Sequence, residues 1–459
     1  MQKDTSFIEN KVSAKGSLWR ERAPDSEKIS ALKNENNVPD LIAKILVGRK
    51  INSSEVNDFL YPEVNKLLKD PSCLFDLDNG IKCLISAIKN KETIGILGDY
   101  DVDGATSSSL LKLFFDHYHI KSEVYIPDRL KEGYGPNKNA IDNFYNSGIR
   151  TFITVDCGAT SVEVMDFAHE KGMQVIIIDH HKVDKPLPKC SAHINPSREE
   201  DNSDLNDLAA VGLTFIFIIA LRRAIRDLML FPDIDEPSLK QYLDLVALGT
   251  VCDVVQLRGL NRAFVKEGID VISRRERPGI EGLRSISGAN DIGVTELGFR
   301  IGPRINAAGR TGSSDLGFRL LTSRSEDEVM AISERLNNLN QQRQNIEQTV
   351  LFEATNNIVN EIDEKKLNSI PNSIIANGEK WHLGVLGIVA SRLKEKYYRP
   401  SFVISTNDDV ATGSARSVSG IDVGKLIIDA VNEGVLVSGG GHKMAGGFSL
   451  KTSNLDKFK

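Results

Sequence analysis

Four short segments of the 459-residue chain hold aspartate and histidine side chains whose types and spacing could bind a metal ion. One of them, GDYDVDG at 98–104, has three aspartates within five residues. One aspartate would be enough to cap a following helix, so the surplus indicates another use. Clustered carboxylates repel one another, and a divalent cation removes that cost. The candidate residues are Asp99, Asp101, Asp156, Asp179, His180, His181 and Asp253.

The types of these residues indicate which metal they would bind. Oxygen-rich ligands with one imidazole suit Mn²⁺ or Mg²⁺ better than Zn²⁺ or Cu²⁺. Four or five carboxylates are more than one ion needs, which predicts two ions about 3.5–4 Å apart. Two ions at this spacing would serve for in-line attack on phosphorus. One of the adjacent histidines can then be a ligand, and the other can face the substrate. Asp253 lies in the apolar segment ALGTVCDVVQL, where metal ligation or a salt bridge would offset its burial.

Alternating strands and helices must position these side chains. Apolar runs predict strands at TIGIL (93–97), EVYIP (123–127), TFITV (151–155) and QVIII (174–178), with helical patterns between them. This alternation predicts an α/β fold with a parallel sheet that is covered on both faces. Ligand sites in such sheets lie beyond the carboxyl ends of the strands, where three of these runs are followed by aspartates.

The second half of the chain predicts a further, smaller α/β domain. A polar run without Pro or Gly, Glu326–Glu364, predicts one helix about 58 Å long that connects two domains. Strand patterns SIIAN and PSFVIS follow, with a helix at Val385–Lys396 between them. The expected division is an N-terminal segment at 1–70, a domain with a helical insert at 71–322, the connecting helix at 323–365 and the second domain at 366–459.

Composition limits the possible functional classes. A net charge of −6 gives no overall attraction to nucleic acid, so a nucleic-acid enzyme would need a basic groove or bound cations. Five cysteines without a CxxC pair favour a reducing cytoplasm over a structural zinc site. The longest apolar stretch, LAAVGLTFIFIIAL at 208–221, is too short for a bilayer and predicts a buried helix. We therefore expect a cytoplasmic protein without membrane contact.

Two segments carry arginines that could bind phosphate. GPRINAAGR, interpreted as a basic loop, offers Arg304, Asn306 and Arg310 between small residues that allow a phosphate backbone to approach. A solvated glycine-rich turn is the alternative. GSARS places Ser414 and Arg416 at alternate positions, hence on one side of an extended segment.

A glycine-rich segment near the end of the chain could bind another phosphate. In SGGGHKMAGG, the backbone N–H groups of Gly440 and Gly441 and the side chain of His442 are the candidates. A glycine hinge is the alternative explanation for this segment.

The order of these motifs resembles that of the DHH phosphoesterase superfamily. GDYDVDG, VDCG, DHH and GTVCDVV match its four motifs, and GGGHKMAGG resembles the DHH-associated domain. From about Pro62 onward the chain is most similar to the RecJ family of single-strand-specific 5′→3′ DNA exonucleases, through PDRLKEGYG, GPRINAAGR and GSARS. The resemblance implies two Mn²⁺ or Mg²⁺ ions and hydrolysis of single-stranded DNA with a 5′ phosphate, releasing 5′-mononucleotides.

The resemblance also assigns roles to individual residues. It implies that Asp156 bridges the ions, that His181 contacts the scissile phosphate, and that Asp179 orients an imidazole or the turn. Asp103 would be structural and cap the helix that follows it, and Arg129 would join GSARS in binding the 5′ phosphate. The implied metal ligands are Asp99, Asp101, Asp156, His180 and Asp253.

The chain departs from the family pattern in two places. Ile96, Leu97 and Gly98 stand where some relatives have an additional ligating histidine, so one ion would be bound more weakly. No OB-fold pattern is recognisable, which predicts weaker and more salt-dependent binding of single strands. By resemblance we also expect a monomer that acts in recombinational and mismatch repair with a single-strand-binding protein and a RecQ-type helicase.

Other functions fit parts of the same pattern. A DHH oligoribonuclease acting on adenosine 3′,5′-bisphosphate or a cyclic-dinucleotide phosphodiesterase would share the metal motifs, but the long helix and GPRINAAGR favour an exonuclease. A non-enzymatic DHH subunit of a replication complex would have lost metal carboxylates that this chain retains. A pyrophosphatase would not need the arginine and serine segments.

Overall fold

The computed structural model describes residues 12–14, 16, 18, 25–128, 132–133, 135–183, 185–310, 313–364 (side chains to 360) and 370–459. These residues form two compact units. The first comprises the described residues within Met1–Pro127, Tyr134–Glu281 and Ala289–Gly302, and the second those within Asp128–Gly133, Gly282–Gly288 and Pro303–Lys459.

The strands, in chain order, are β1 (Ile94–Gly98), β2 (Ser122–Tyr125), β3 (Thr151–Val155), β4 (Gln174–Ile178), β5 (Ala192–Ile194), β6 (Ile374–Glu379), β7 (Ser401–Thr406), β8 (Val410–Arg416), β9 (Ser438–His442) and β10 (Ala445–Lys451). The α-helices are α1 (Ser26–Asn36), α2 (Asp40–Gly48), α3 (Val56–Leu60), α4 (Val64–Leu67), α5 (Leu77–Lys89), α6 (Val102–His117), α7 (Lys138–Asn146), α8 (Val162–Glu170), α9 (Ala210–Asp227), α10 (Leu243–Cys252), α11 (Gly259–Ile272), α12 (Pro278–Ser287), α13 (Val294–Glu296), α14 (Gly302–Arg310), α15 (Leu316–Thr322), α16 (Glu326–Glu364), α17 (Leu383–Tyr397), α18 (Val423–Asn432) and α19 (Leu455–Phe458).

The first unit contains a five-stranded sheet in the order β2-β1-β3-β4-β5, with all neighbours parallel. Every residue of β1 and β3 is buried, as expected for strands covered on both faces. The predicted α/β class is therefore confirmed, and β3 and β4 have the predicted bounds. The edge strand β5 was not predicted, because three residues give too short a pattern.

The carboxyl ends of three strands form one rim of this sheet. Backbone hydrogen bonds continue one residue past the strands, from Asp99 to Val155, from Asp156 to Ile178, and from Asp179 to Ile194 (N···O 3.3, 3.0 and 3.1 Å). The three aspartates therefore leave the sheet at the same level.

Two buried helices complete the support of this rim. Helix α10 is buried on all sides from Leu243 to Val251, and it packs against α6. Helix α9 contains most of the long apolar stretch and is buried as predicted. Among the described residues, none of the helices combines the length and the apolar character that a membrane crossing requires.

The second unit contains a mixed sheet in the order β6-β7-β8-β10-β9, parallel only between β6 and β7. Helix α16 begins and ends at the predicted residues. Its Glu353 accepts a hydrogen bond from the indole N–H of Trp381 (2.6 Å), which fixes the helix beside this sheet. The predicted domain limits and the connecting role of α16 remain predictions.

The GPRINAAGR segment is a helix and not the predicted loop. It forms α14, with proline at the second position, where a missing N–H is tolerated. Ile305, Ala307 and Ala308 are buried, so the small residues serve packing. The glycine-rich segment is also regular, because β9 and β10 form an antiparallel hairpin rather than a hinge.

Candidate metal centre and phosphate site

The imidazole of His180 faces carboxylates from three different elements. Its Nε2 lies 3.3 Å from Asp156 Oδ1, 3.7 Å from Asp253 Oδ2 and 3.9 Å from Asp103 Oδ2. Asp156 follows β3, Asp253 follows α10, and Asp103 lies in the first turn of α6. Residues separated by up to 150 positions in the sequence thus meet around one nitrogen.

The predicted ligands fall into overlapping groups whose potential ligand atoms lie within 4.8 Å of one another. Asp156 belongs to two of these groups, one with carboxylates and one with histidines, which is the arrangement a bridging ligand requires. The structure brings together all five ligands predicted from the sequence. The groups are Asp99, Asp101 and Asp156; Asp156, His180 and His181; and Asp103, His180 and Asp253.

Three buried atoms at the centre of these groups suit a cation. Asp156 Oδ1, His180 Nε2 and Asp253 Oδ2 have no hydrogen-bond partner in the described part of the chain. Buried polar atoms are normally paired, because leaving them unpaired costs free energy. Two oxygens and one imidazole nitrogen are ligands that Mn²⁺ or Mg²⁺ accepts, so the residues present fit such an ion.

The electrostatics of the centre agree with a requirement for positive charge. Burial, followed by repulsion from Asp101, raises the pKa of Asp253 to about 7. Burial, followed by the neighbouring carboxylates, also raises the pKa of Asp156 well above its ordinary value. A cation would remove this penalty and keep both groups ionised.

Asp179 holds the backbone and one ring of the DHH turn. Its Oδ1 accepts hydrogen bonds from the backbone N–H groups of His180 (2.8 Å) and His181 (3.1 Å), and its Oδ2 accepts one from Ala159 (3.0 Å). The same Oδ1 lies 2.7 Å from His181 Nδ1. Burial alone would raise the pKa of Asp179, but the hydrogen bonds, first that from the His181 ring, lower it overall.

The ring of His181 is oriented by Asp179 beside the candidate ligands. Burial lowers its pKa, but the hydrogen bond and charge of Asp179 outweigh that effect and raise the pKa to about 9. Its side chain is 44% exposed, whereas that of His180 is 14% exposed. The two adjacent histidines therefore differ in access to a substrate. His180 Nε2 faces three carboxylates, whereas His181 Nδ1 is hydrogen-bonded to Asp179 and lies 3.9 Å from Asp156 Oδ1.

Asp103 does cap a helix, but not the one that follows it. Asp101 is the N-cap of α6 and accepts a hydrogen bond from the Gly104 N–H (3.0 Å). Asp103 accepts hydrogen bonds from the N–H groups of Ala210 (2.7 Å) and Val211 (2.9 Å) at the start of α9. The prediction was wrong because Asp103 lies inside the first turn of α6, where its side chain points toward another helix.

Close packing explains the glycine that ends GDYDVDG. A Cβ atom on Gly104 would overlap the backbone of Asp99. Asp156 adopts a left-handed conformation (φ 60°), which turns the chain sharply after β3. Both features bring the strand ends close to the start of α6.

A second candidate site lies in the second unit, around the guanidinium of Arg416. Arg416 donates hydrogen bonds to Ser414 Oγ (3.2 Å) and to the Ala415 carbonyl (2.8 Å). Among the described residues no carboxylate lies within 4.0 Å of it, and burial lowers its pKa. A half-buried guanidinium without a carboxylate partner is suited to bind an anion.

Arg416 lines a cleft of about 730 Å³. A Cβ on Gly387 would lie 2.8 Å from Arg416 Nη2, so the glycine allows the guanidinium to lie against α17. Sequence reasoning missed this contribution of α17, although two glycines three residues apart within a helical pattern could have indicated it. Residues that line the cleft include Arg310, Gly384, Gly387, Arg392, Ser414 and Arg416.

The remaining predicted phosphate contacts are spread over the second unit. Arg310 lines the cleft and donates a hydrogen bond to the Gly384 carbonyl (2.7 Å), while Arg304 donates one to Asn337 Oδ1 (3.1 Å). Asn306 is half-buried on α14.

The glycine-rich motif reaches this cleft only with its last residue, Gly447, and not with its predicted phosphate contacts. Gly440, Gly441 and His442 lie on the edge strand β9, which β10 separates from β8, and they are not among the cleft residues. Arg129 lies outside the described residues.

Comparison with known proteins reveals relatives over most of the chain. Residues 93–250 match the DHH family, N-terminal domain, and residues 370–459 match the DHHA1 domain. The single-stranded-DNA-specific exonuclease RecJ of Escherichia coli K12 is 34% identical over 431 residues, which are 92% of this chain and 73% of that protein.

Solved structures of similar proteins have the same fold. RecJ of Thermus thermophilus in complex with Mn²⁺ superposes with a TM-score of 0.77 at 28% identity, over 95% of this chain and 60% of that one. An exonuclease RecJ bound to manganese gives a TM-score of 0.70 at 31% identity, over 85% of this chain and 93% of that one.

Proposed function

The chain belongs to the RecJ family of DHH proteins, and from this membership we propose that it is a single-strand-specific 5′→3′ DNA exonuclease. It would hydrolyse phosphodiester bonds with two Mn²⁺ or Mg²⁺ ions and release 5′-mononucleotides. The observation that carries the proposal is the convergence of three unpaired buried atoms, from Asp156, His180 and Asp253, on one point of the sheet rim.

We assign one metal ion to the group of Asp99, Asp101 and Asp156. The other ion would be held by Asp156 together with His180 and Asp253, whose carboxylate lies 3.7 Å from His180 Nε2. Cations bound there would activate a water molecule and neutralise charge on the phosphate. His181 supplies a protonated imidazole, held by Asp179, that donates a hydrogen bond to a phosphate oxygen.

Directionality requires a separate site for the 5′ phosphate, which we assign to Arg416 and Ser414. The guanidinium lines a cleft, and Gly387 allows it to pack closely against α17. Arginine binds phosphate through two parallel hydrogen bonds, and Ser414 Oγ, 3.2 Å from Arg416 Nη1, can add a third.

We further propose that the enzyme is a cytoplasmic monomer acting in DNA repair and recombination, with a single-strand-binding protein and a RecQ-type helicase as partners. The named relatives and five free cysteines support this assignment. Sedimentation of the purified chain, alone and with each candidate partner, would test it.

A hydrolysis ladder tests the activity directly. With Mn²⁺ or Mg²⁺, 3′-labelled single-stranded DNA carrying a 5′ phosphate should be shortened one nucleotide at a time from its 5′ end. The same strand in a duplex should resist, and Asp156→Ala should be inactive. Faster hydrolysis of short RNA or of a cyclic dinucleotide would instead favour another DHH activity. An undegraded single strand would refute the proposal.

A further inference from the structure

The carbonyl groups of both DHH histidines are held by a loop that the metal-ligand motifs do not include. The Asn195 side-chain amide donates a hydrogen bond to the His181 carbonyl (2.9 Å), and the Ser197 hydroxyl donates one to the His180 carbonyl (3.1 Å). Asn195 Oδ1 also accepts a hydrogen bond from the Ser197 N–H (2.8 Å). The three bonds form one continuous network.

Asn195 is placed for this contact by the sheet. It directly follows β5, which pairs in parallel with β4, with Ile178 opposite Ile194. The DHH turn and the Asn195 loop therefore leave neighbouring strands at the same rim. Asn195 is fully buried, so its amide cannot exchange these bonds for water.

The turn is thus held from two sides. Asp179 accepts from the N–H groups of His180 and His181, and the Asn195 loop donates to their carbonyl groups. These backbone contacts fix the positions of both histidines along the rim, in addition to any metal contact of the His180 ring.

The Asn195 loop is itself fixed to the body of the first unit. Arg198 Nη1 donates hydrogen bonds to Asp76 Oδ2 (3.2 Å) and to the His193 carbonyl (2.9 Å), and its guanidinium lies 4.6 Å from the centre of the Phe75 ring. The Arg198 side chain is only 8% exposed. A rigid support of this kind is what a histidine ligand needs to keep its ring directed at a cation.

We infer that Asn195 and Ser197 are positioning residues of the metal centre, which hold the DHH turn so that His180 faces the carboxylates and His181 stays against Asp179. The inference rests on the proposed metal-dependent activity. Neither residue touches the candidate cation positions, so both would act through the backbone of the histidines.

The two residues should differ in effect, because each holds a different histidine. Ser197→Ala releases the His180 carbonyl and should raise the Mn²⁺ dissociation constant of the DNA-free protein about tenfold, the range for residues that support a metal ligand. Excess Mn²⁺ should restore its kcat. Asn195→Ala releases the His181 carbonyl and also removes the acceptor of the Ser197 N–H, so its kcat should remain about tenfold low even at saturating Mn²⁺, with an unchanged KM for DNA.

Calorimetric or electron-paramagnetic-resonance titration of Mn²⁺ into the DNA-free protein, together with steady-state kinetics, tests the inference. Ser197→Thr retains the hydroxyl and should restore wild-type Mn²⁺ affinity. Ser203→Ala is the matched control, because Ser203 donates to Asp201 in the same region and does not contact the DHH turn.

The failures of the two proposals are distinguishable. If the wild-type protein binds Mn²⁺ and Ser197→Ala binds it as tightly as Ser203→Ala does, the positioning role is wrong. If the wild-type protein neither binds Mn²⁺ nor degrades DNA, the proposed function fails instead. If Asn195→Ala does not fold, the Mn²⁺ affinities of Ser197→Ala and Ser197→Thr still test the positioning role.

Discussion

His180 Nε2 lies 3.3 Å from Asp156 Oδ1, and neither atom has a hydrogen-bond partner within the described ranges. The two residues leave adjacent strands, Asp156 one residue after β3 and His180 two residues after β4. This pair connects the carboxylate group of the rim with the histidine group. Substitution of His180 should therefore weaken metal binding.

Substitutions of the two adjacent histidines should have different effects. His180→Ala removes an enclosed nitrogen that faces three carboxylates, so the Mn²⁺ affinity should fall at least about tenfold. His181→Ala should keep Mn²⁺ affinity but lower kcat by about 10²–10³, because a positioned hydrogen-bond donor to the phosphate is lost. Calorimetric Mn²⁺ titrations and single-turnover rates measure the two effects. Equal loss of metal in both variants would contradict this division of roles.

Asp103 should stabilise the folded protein by capping the start of α9. Asp103→Ala leaves the N–H groups of Ala210 and Val211 without their acceptor, at a cost of about 1–3 kcal/mol each. Relief of repulsion with Asp253 offsets part of that cost, so a net loss of about 1–4 kcal/mol in the free energy of unfolding is expected. Urea denaturation of the metal-free protein measures it.

Asp116→Ala is the control for this variant. Asp116 lies on the same helix and forms an exposed ion pair with Lys112, so its loss should change the free energy of unfolding by about 0.5 kcal/mol or less. If Asp103→Ala is no less stable than Asp116→Ala, the capping of α9 contributes nothing.

The parallel sheet and its acidic rim could be predicted because their signals are local. Apolar runs such as TFITV and QVIII directly indicate buried strands. The aspartates that follow them lie together because the carboxyl ends of parallel strands meet at one edge of the sheet. The partner of Asp103 could not be predicted in this way, since the two N–H groups it binds lie more than a hundred residues further along the chain.

Glycine and proline misled the prediction for GPRINAAGR, and the role of Asn195 was not predicted at all. Gly302 and Pro303 suggested a loop, yet they begin a helix whose residue Ile305 is buried. Asn195, followed by proline, has the composition of an ordinary turn, and its hydrogen bond to the His181 carbonyl depends on the register between β4 and β5. Such roles are set by tertiary contacts that local composition does not encode.

Arg416 should determine the preference for a 5′ phosphate. Arg416→Ala removes charge-assisted hydrogen bonds worth about 1.5–3 kcal/mol, so KM for 5′-phosphorylated single strands should rise about 10- to 100-fold. KM for strands with a 5′ hydroxyl should hardly change. Arg399→Ala serves as the control, because Arg399 lies in the same unit but does not line the cleft. An equal rise in KM for 5′-phosphorylated and 5′-hydroxyl strands would contradict the assignment of Arg416 to the 5′ phosphate.

His193 should make the protein sensitive to acid. It is buried on β5, where burial, followed by the charge of Arg198, lowers its pKa from 6.5 to about 4. Between these values the unfolded chain binds a proton that the folded protein does not, so stability falls as the pH drops from about 6.5 to about 4. The shift corresponds to roughly 3 kcal/mol.

His193→Gln should lack this contribution, so the stability of the variant relative to wild type should increase as the pH falls through that window. Chemical denaturation at several pH values between about 4 and 7.5 measures the difference, and subtraction from wild type removes the effect of the other titrating groups. His169→Gln, at an exposed histidine of α8, should run parallel to wild type. A His193→Gln curve that also stays parallel to wild type would mean that this imidazole does not disfavour its charged form in the folded protein.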